Sequence, residues 1–135
     1  MGKYENLQTN IFSVFNSNQW KSENIKTFPV NYIQLNAGNE FIKVSIIPSG
    51  KGINAHSVSG ILIIDIFIPA GNGPKRASLI ADKLDHYLVG KSFSTQDGNT
   101  QFIQNSSLDF KGLDKDNETL FRSSYTIPFT FFGVI

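Results

Sequence analysis

From Tyr4 to Trp20 the apolar side chains Tyr4, Leu7, Ile11, Val14 and Phe15 recur three and four residues apart, the spacing of one helical face. An amphipathic first helix is expected there, with Asn10, Asn16, Asn18 and Gln19 on its polar side. The asparagines are weak helix formers and blur its end. In Phe28-Pro29-Val30 the proline holds its predecessor extended, so an extended segment leading to Asn36-Ala37-Gly38-Asn39 is expected. The period then drops to two. Ile42, Val44 and Ile46 alternate with Lys43 and Ser45 in a half-buried strand that Pro48 closes. From Val58 to Pro69 both faces are aliphatic, with Leu62, Ile64, Ile66 and Ile68 on one and Ile61, Ile63 and Phe67 on the other. That pattern predicts a central strand, antiparallel to the preceding one across the polar Ser49–Ser57 loop.

Pro74 suits the first turn of a second helix reaching about Val89, with Ala77, Ile80, Ala81, Leu84 and Leu88 inward and Gly90 as its stop. Short strands are expected at Phe93–Thr95 and Thr100–Gln104, and a mixed polar stretch from Asn105 to Gly112. The last strand alternates Phe121, Tyr125, Ile127, Phe129 and Phe131 against Arg122, Ser124, Thr126 and Thr130, with Ser123 breaking the pattern. Pro128 cannot donate to a ladder, which puts this strand at an edge or brings it to its edge there. The acidic Leu113–Glu118 stretch reads as a hairpin turn into it. The order α-β-β-α-β-β predicts one α+β domain over residues 1–135: a mixed, mainly antiparallel sheet of about four to six strands carrying two helices.

Composition narrows the function. The 135-residue chain has 12 Lys+Arg, 11 Asp+Glu and no cysteine, which excludes thiolate nucleophiles and Cys-ligated zinc. A net charge of +1 gives no field suited to nucleic-acid binding. The apolar run Ile61–Ala70 contains Asp65 and is far short of the ~20 residues of a membrane helix, and the polar N-terminal start predicts a cytoplasmic protein. Charge is uneven: +2 over residues 1–57, +1 over 58–95 and −2 over 96–135. Solvated loops explain this; so do complementary surfaces between identical subunits.

Candidate chemistry is thin. Gly71 and Gly73 after a strand suggest a dinucleotide turn, but Arg76 stands where its third glycine belongs and Pro74 removes a phosphate-binding N–H. Gly90-Lys91-Ser92 closes a helix where a P-loop would open one. Asp82, Asp85 and His86 share a helix but supply too few ligands for a metal, and an exposed Asp82–His86 ion pair is the plainer reading. Neither His56 nor His86 has the context of a catalytic triad. Asp114–Glu118 lacks the glycine of a calcium loop. Asp65 is the notable polar residue: it calls for a basic partner on a helix or neighbouring subunit, or for a wet face. No catalytic residue, cofactor or metal is expected.

The sequence "VSIIPSG…VSGILIIDIFIPAGNGPKRASLIADKLDHYL", with the N-terminal helix, "FPVNY", "FIKVSIIP" and the closing "LFRSSYTIPFTF", resembles the tail terminator proteins of long-tailed bacteriophages, the lambda-like group. The resemblance covers nearly the whole chain. It implies a homohexameric ring at the head-proximal end of the virion tail, assembled in the host cytoplasm, that stops tail-tube polymerisation. Its implied partners are further copies of itself, the tail tube protein and a head-completion or connector protein, with DNA passing unread through the lumen and no membrane. A ring needs two complementary patches per subunit. Candidate contact residues are Lys51, His56, Lys75, Arg76, Asp114, Asp116, Glu118, Phe131 and Phe132. Another phage neck or tail-completion component, a small nucleotide-using enzyme and a plain monomeric binding domain are the alternatives.

Overall fold

The computed structural model describes residues 2–29, 40–51, 56–71, 73–96, 98–113 and 120–133. The elements in chain order are α1 (Lys3–Phe15), α2 (Asn18–Lys21), β1 (Thr27–Pro29), β2 (Phe41–Lys51), β3 (Ser57–Pro69), α3 (Gly73–Leu88), β4 (Lys91–Thr95), β5 (Gly98–Phe102), β6 (Ser107–Leu113) and β7 (Leu120–Gly133). The class is mixed α+β with a mainly antiparallel sheet, as the periodicity implies. The count differs: among the described residues there are seven strands and three helices, where four to six strands and two helices are expected.

The expected Tyr4–Trp20 helix is two helices. A straight helix turning ~100° per residue would carry Trp20 off the Leu7–Ile11–Val14 stripe. Instead the chain breaks at Asn16–Ser17, and the Ser17 hydroxyl caps α2 by accepting from the Trp20 N–H at 3.2 Å. Trp20 is thereby turned into the core, edge-on to Phe15 and Tyr87, with its indole N–H donating to the Thr27 hydroxyl at 2.9 Å.

The strands run in the order β1-β2-β3-β7-β5-β4, with β6 also paired to β7. Among the described strands only β1 and β2 pair in parallel. β7 is therefore an interior strand and not an edge strand, but at Pro128 it lacks a partner on one side, the second of the two positions that Pro128 suggests. β3 accompanies it along one side, while on the other β6 pairs with Phe121–Thr126 and β5 with Thr130–Gly133. Between the pairs Gln101↔Thr130 and Ser107↔Thr126, residues 102–106 stand opposite only 127–129. β5 and β6 are thus one long strand interrupted by a wide bulge. Pro128 falls opposite that bulge, where no strand needs its missing N–H on that side. The polar stretch expected at Asn105–Gly112 is largely β6, and its antiparallel pairing with β7 is that of a hairpin; the turn residues 114–119 lie outside the described residues.

α1 and α3 cover one face of the sheet. Leu62, Ile64, Ile66 and Ile68 of β3 and Tyr125, Ile127, Phe129 and Phe131 of β7 point to that face and join Leu7, Ile11, Ile80, Leu84 and Leu88 in one cluster. Each such side chain contributes about 1.5–3 kcal/mol when fully buried. On the opposite face Phe41, Phe67 and Leu120 form a small second cluster. α3 ends on Gly90 at φ +73°, a left-handed stop.

Two polar groups fix how the helices lie. Asn10, expected on the exposed side of α1, is fully enclosed (0 % exposed). Its amide N–H groups face the carbonyls of Phe93 (3.2 Å) and Gly98 (3.0 Å) and the Thr95 hydroxyl (3.0 Å), and its carbonyl accepts from the Thr100 hydroxyl. Gly98, at φ +147°, brings its carbonyl there in a conformation an alanine resists; an added Cβ would stand 2.6 Å from the Phe132 carbonyl oxygen. On α3, Asp85 accepts from the Tyr125 hydroxyl at 2.7 Å and from Ser106 at 2.5 Å, tying the helix to β7 and to the bulge.

Asn10→Ala strands the Thr100 hydroxyl and two strand carbonyls in the core, so a loss of about 3 kcal/mol is expected, read as a lower urea midpoint at unchanged m. Burial, and then the Asp85 carboxylate, push the Tyr125 phenol well above its ordinary value. The folded protein therefore holds this proton where the unfolded chain releases it. That contribution is complete below pH ~10 and declines above it. Tyr125→Phe should cost about 1 kcal/mol at pH 7. The gap to wild type should narrow in urea titrations as the pH rises past 10; a gap constant to pH 11.5 would contradict the assignment.

Candidate subunit interfaces

β3 and β7 carry the candidate residues to opposite ends of the sheet, because β3 leads from one candidate loop into α3. At its start, Phe132 pairs with Ser57, and the Gly133 N–H donates to the His56 carbonyl at 3.0 Å, so His56 and Phe132 are neighbours. His56 is exposed and Phe132 half-buried. Lys51 ends β2 opposite Val58 at the same end. Phe131 is corrected: it points to the helix-covered face, is fully enclosed in the subunit's own core and cannot meet a partner. Past the other end of β3, Lys75 is exposed in the first turns of α3, whereas Arg76 holds Glu40 by two bonds of 2.5 and 2.8 Å. That pairing raises the Arg76 pKa, with burial opposing. Over a 13-residue strand the two groups stand roughly 40 Å apart. Asp114, Asp116 and Glu118 lie outside the described residues.

Several other charged residues are engaged within the chain. Asp65 lies on the sheet face away from the helices. It accepts from Ser124 at 2.8 Å and from Arg122 at 3.3 Å, so its partners are on β7, not on a helix or a second subunit. Lys43, its cross-strand neighbour on β2, sets its ammonium 5.9 and 5.8 Å above the Phe41 and Phe67 rings. On α3, Lys83 bonds Glu23 at 3.0 Å, which also accepts from the Tyr87 hydroxyl at 3.1 Å. The Lys83 bond, then the Tyr87 bond, hold the Glu23 carboxyl below its ordinary value. Asp82 and His86 are exposed and form no ion pair with each other or with another described residue, and Asp85 is spent on Tyr125 and Ser106. Among the described residues no three His, Asp or Glu side chains gather as a metal site requires, and no helix is long and apolar enough to cross a membrane.

What the register assembles is a surface. On the face left uncovered among the described residues, Ile47 of β2 stands beside Ile61 of β3, which stands beside Pro128 of β7, and Ile103 of the bulge lines the same groove as Pro128. Four apolar side chains cross the sheet in a row; Ile47 is 42 % and Ile103 72 % exposed. A groove of about 420 Å³ opens along the Ile61, Pro128 and Ile103 part of it. The next row, Ser45, Ile63, Thr126 and Ser107, carries no charge; the row after that, Lys43, Asp65, Ser124 and Asp109, does. An apolar centre, uncharged neighbours and a charged margin are how protein contacts are laid out. The row escapes sequence reading because it takes one or two residues from each of four separate segments. Only the register joins them.

No family model and no curated protein sequence matches the chain. Several chains of solved structures match, and one of them is similar over 98 % of this chain and 97 % of its own length, with a TM-score of 0.68 at 11 % identity. At that identity the likeness concerns the fold alone.

Proposed function

We propose that the chain is a structural virion protein of the tail-terminator kind. Copies of it ring the head-proximal end of a tail tube in the virion, halt tube polymerisation and offer the head connector its joining surface, with DNA passing through the lumen. The observation that carries the reading is the order of its parts. The described parts of the segments that resemble tail terminators, the N-terminal helix, "FP", "FIKVSIIP", "IDIFIP" with the helix that follows, and "IPFTF", lie in α1, β1, β2, β3 with α3, and β7 around one sheet. A sheet face with an uncharged, partly apolar centre supports a life spent in assemblies. The role needs no catalytic group: the ring acts by covering the growing end of the tube, and its residues work through contact.

The experiment is electron microscopy of particles made by a phage lacking this gene. Overlong tails without heads, restored to normal length by the gene in trans, are expected. Tails of normal length beside tailless or leaking capsids would overturn the reading and make the chain a neck component.

A further inference from the structure

The uncovered sheet face has a symmetry that chooses its partner. In the row Lys43, Asp65, Ser124, Asp109, the lone cation stands at the β2 side and an exposed acid at the β6 side. Two such faces related by a two-fold axis along the strands, between β3 and β7, lie β2 over β6. Each Lys43 then meets the partner copy's Asp109, and the apolar row lies on itself reversed, Ile47 over Ile103 and Ile61 over Pro128. No like charges of that row are opposed, and the uncharged rows meet each other.

We infer that this face is the contact between two copies of the chain, packed sheet on sheet in an isologous pair. It is distinct from the head-to-tail contacts of a ring and stands or falls without them. Its size sets its strength. Four strands ~4.8 Å apart and about nine residues long give on the order of 570 Å² per copy. That is below the roughly 800 Å² per partner of a stable complex, so the pair is weak and forms at high concentration or where copies are already gathered.

The chain has no cysteine, which makes the geometry directly readable. Ile47→Cys and Ile103→Cys place thiols at opposite ends of the row, ~14 Å apart across the strands, both at exposed positions. Mixed and oxidised, the two variants should form a disulfide dimer about tenfold or more faster than either alone, and faster than either with Ser94→Cys on exposed β4, because a seated pair raises the local thiol concentration. Lys43→Asp should slow the link, and adding Asp109→Lys should restore it. Mixed linking no faster than with Ser94→Cys overturns the inference. So does faster coupling of Ile47→Cys to a Leu79→Cys variant, since that places α3 on the face.

Discussion

The ladder between β3 and β7 is the constraint on which the rest depends. Ser57 to Pro69 pairs residue by residue with Phe132 to Leu120. Because side chains alternate between faces, this one register decides what α1 and α3 can cover. Leu62, Ile64 and Ile66 face the helices only in the parity that also puts Asp65 on the other side, beside Ser124 and Arg122. A one-residue slip would carry the carboxylate under α3, where a buried unpaired charge costs several kcal/mol. Asp65 therefore opposes the wrong alignment in a strand whose faces are otherwise both aliphatic. The interruption that looks like a flaw in the apolar run acts as its register mark.

From that ladder the two faces diverge. The covered face is aliphatic and aromatic, and hydrophobic burial there is non-directional: it would hold the helices at many angles. Direction comes from the few polar groups admitted to the core. Asn10 is bonded to both arms of the β4–β5 hairpin and so locks α1 to one edge of the sheet. Asp85, by joining Tyr125 and Ser106, locks α3 to the middle of β7 and to the bulge together. Buried networks of this kind specify a geometry once every member is satisfied.

What was legible in the sequence follows the strength of the local pattern. β3, β7 and α3 are long and strongly periodic, and period alone places them within a few residues. β6 is not: Ser107, Asp109 and Lys111 are exposed on an outer strand, and exposed edge strands carry little apolar signal. Asn10 had a readable clue, lying between Leu7, Ile11 and Val14 on the apolar stripe rather than opposite it. Phe131 and Phe132 are alike in type and differ only in parity; the alternation of β7 puts the first inside, and the proximity of the C-terminus obscures this. Partners such as Ser124 and Arg122 for Asp65 depend on strand pairing, which no local window contains.

The uncovered face shows why a neutral composition is uninformative about association. An antiparallel sheet with helices on one side ordinarily turns polar side chains to water on the other, and Thr126 and Thr130 of β7 do so. Beside them β2, β3 and the bulge present Ile47, Ile61, Ile63 and Ile103, where alternation would call for polar residues. The folded chain gains little burial from the two at the ends of the row, Ile47 being 42 % and Ile103 72 % exposed. Its bulge also forgoes ladder bonds along Ile127–Phe129 to hold that shape. A sum of charges cannot register such a face, because its distinguishing property is the absence of charge over neighbouring rows. The partner that best matches an uncharged apolar strip with opposite charges at its two margins is the same strip turned through half a revolution.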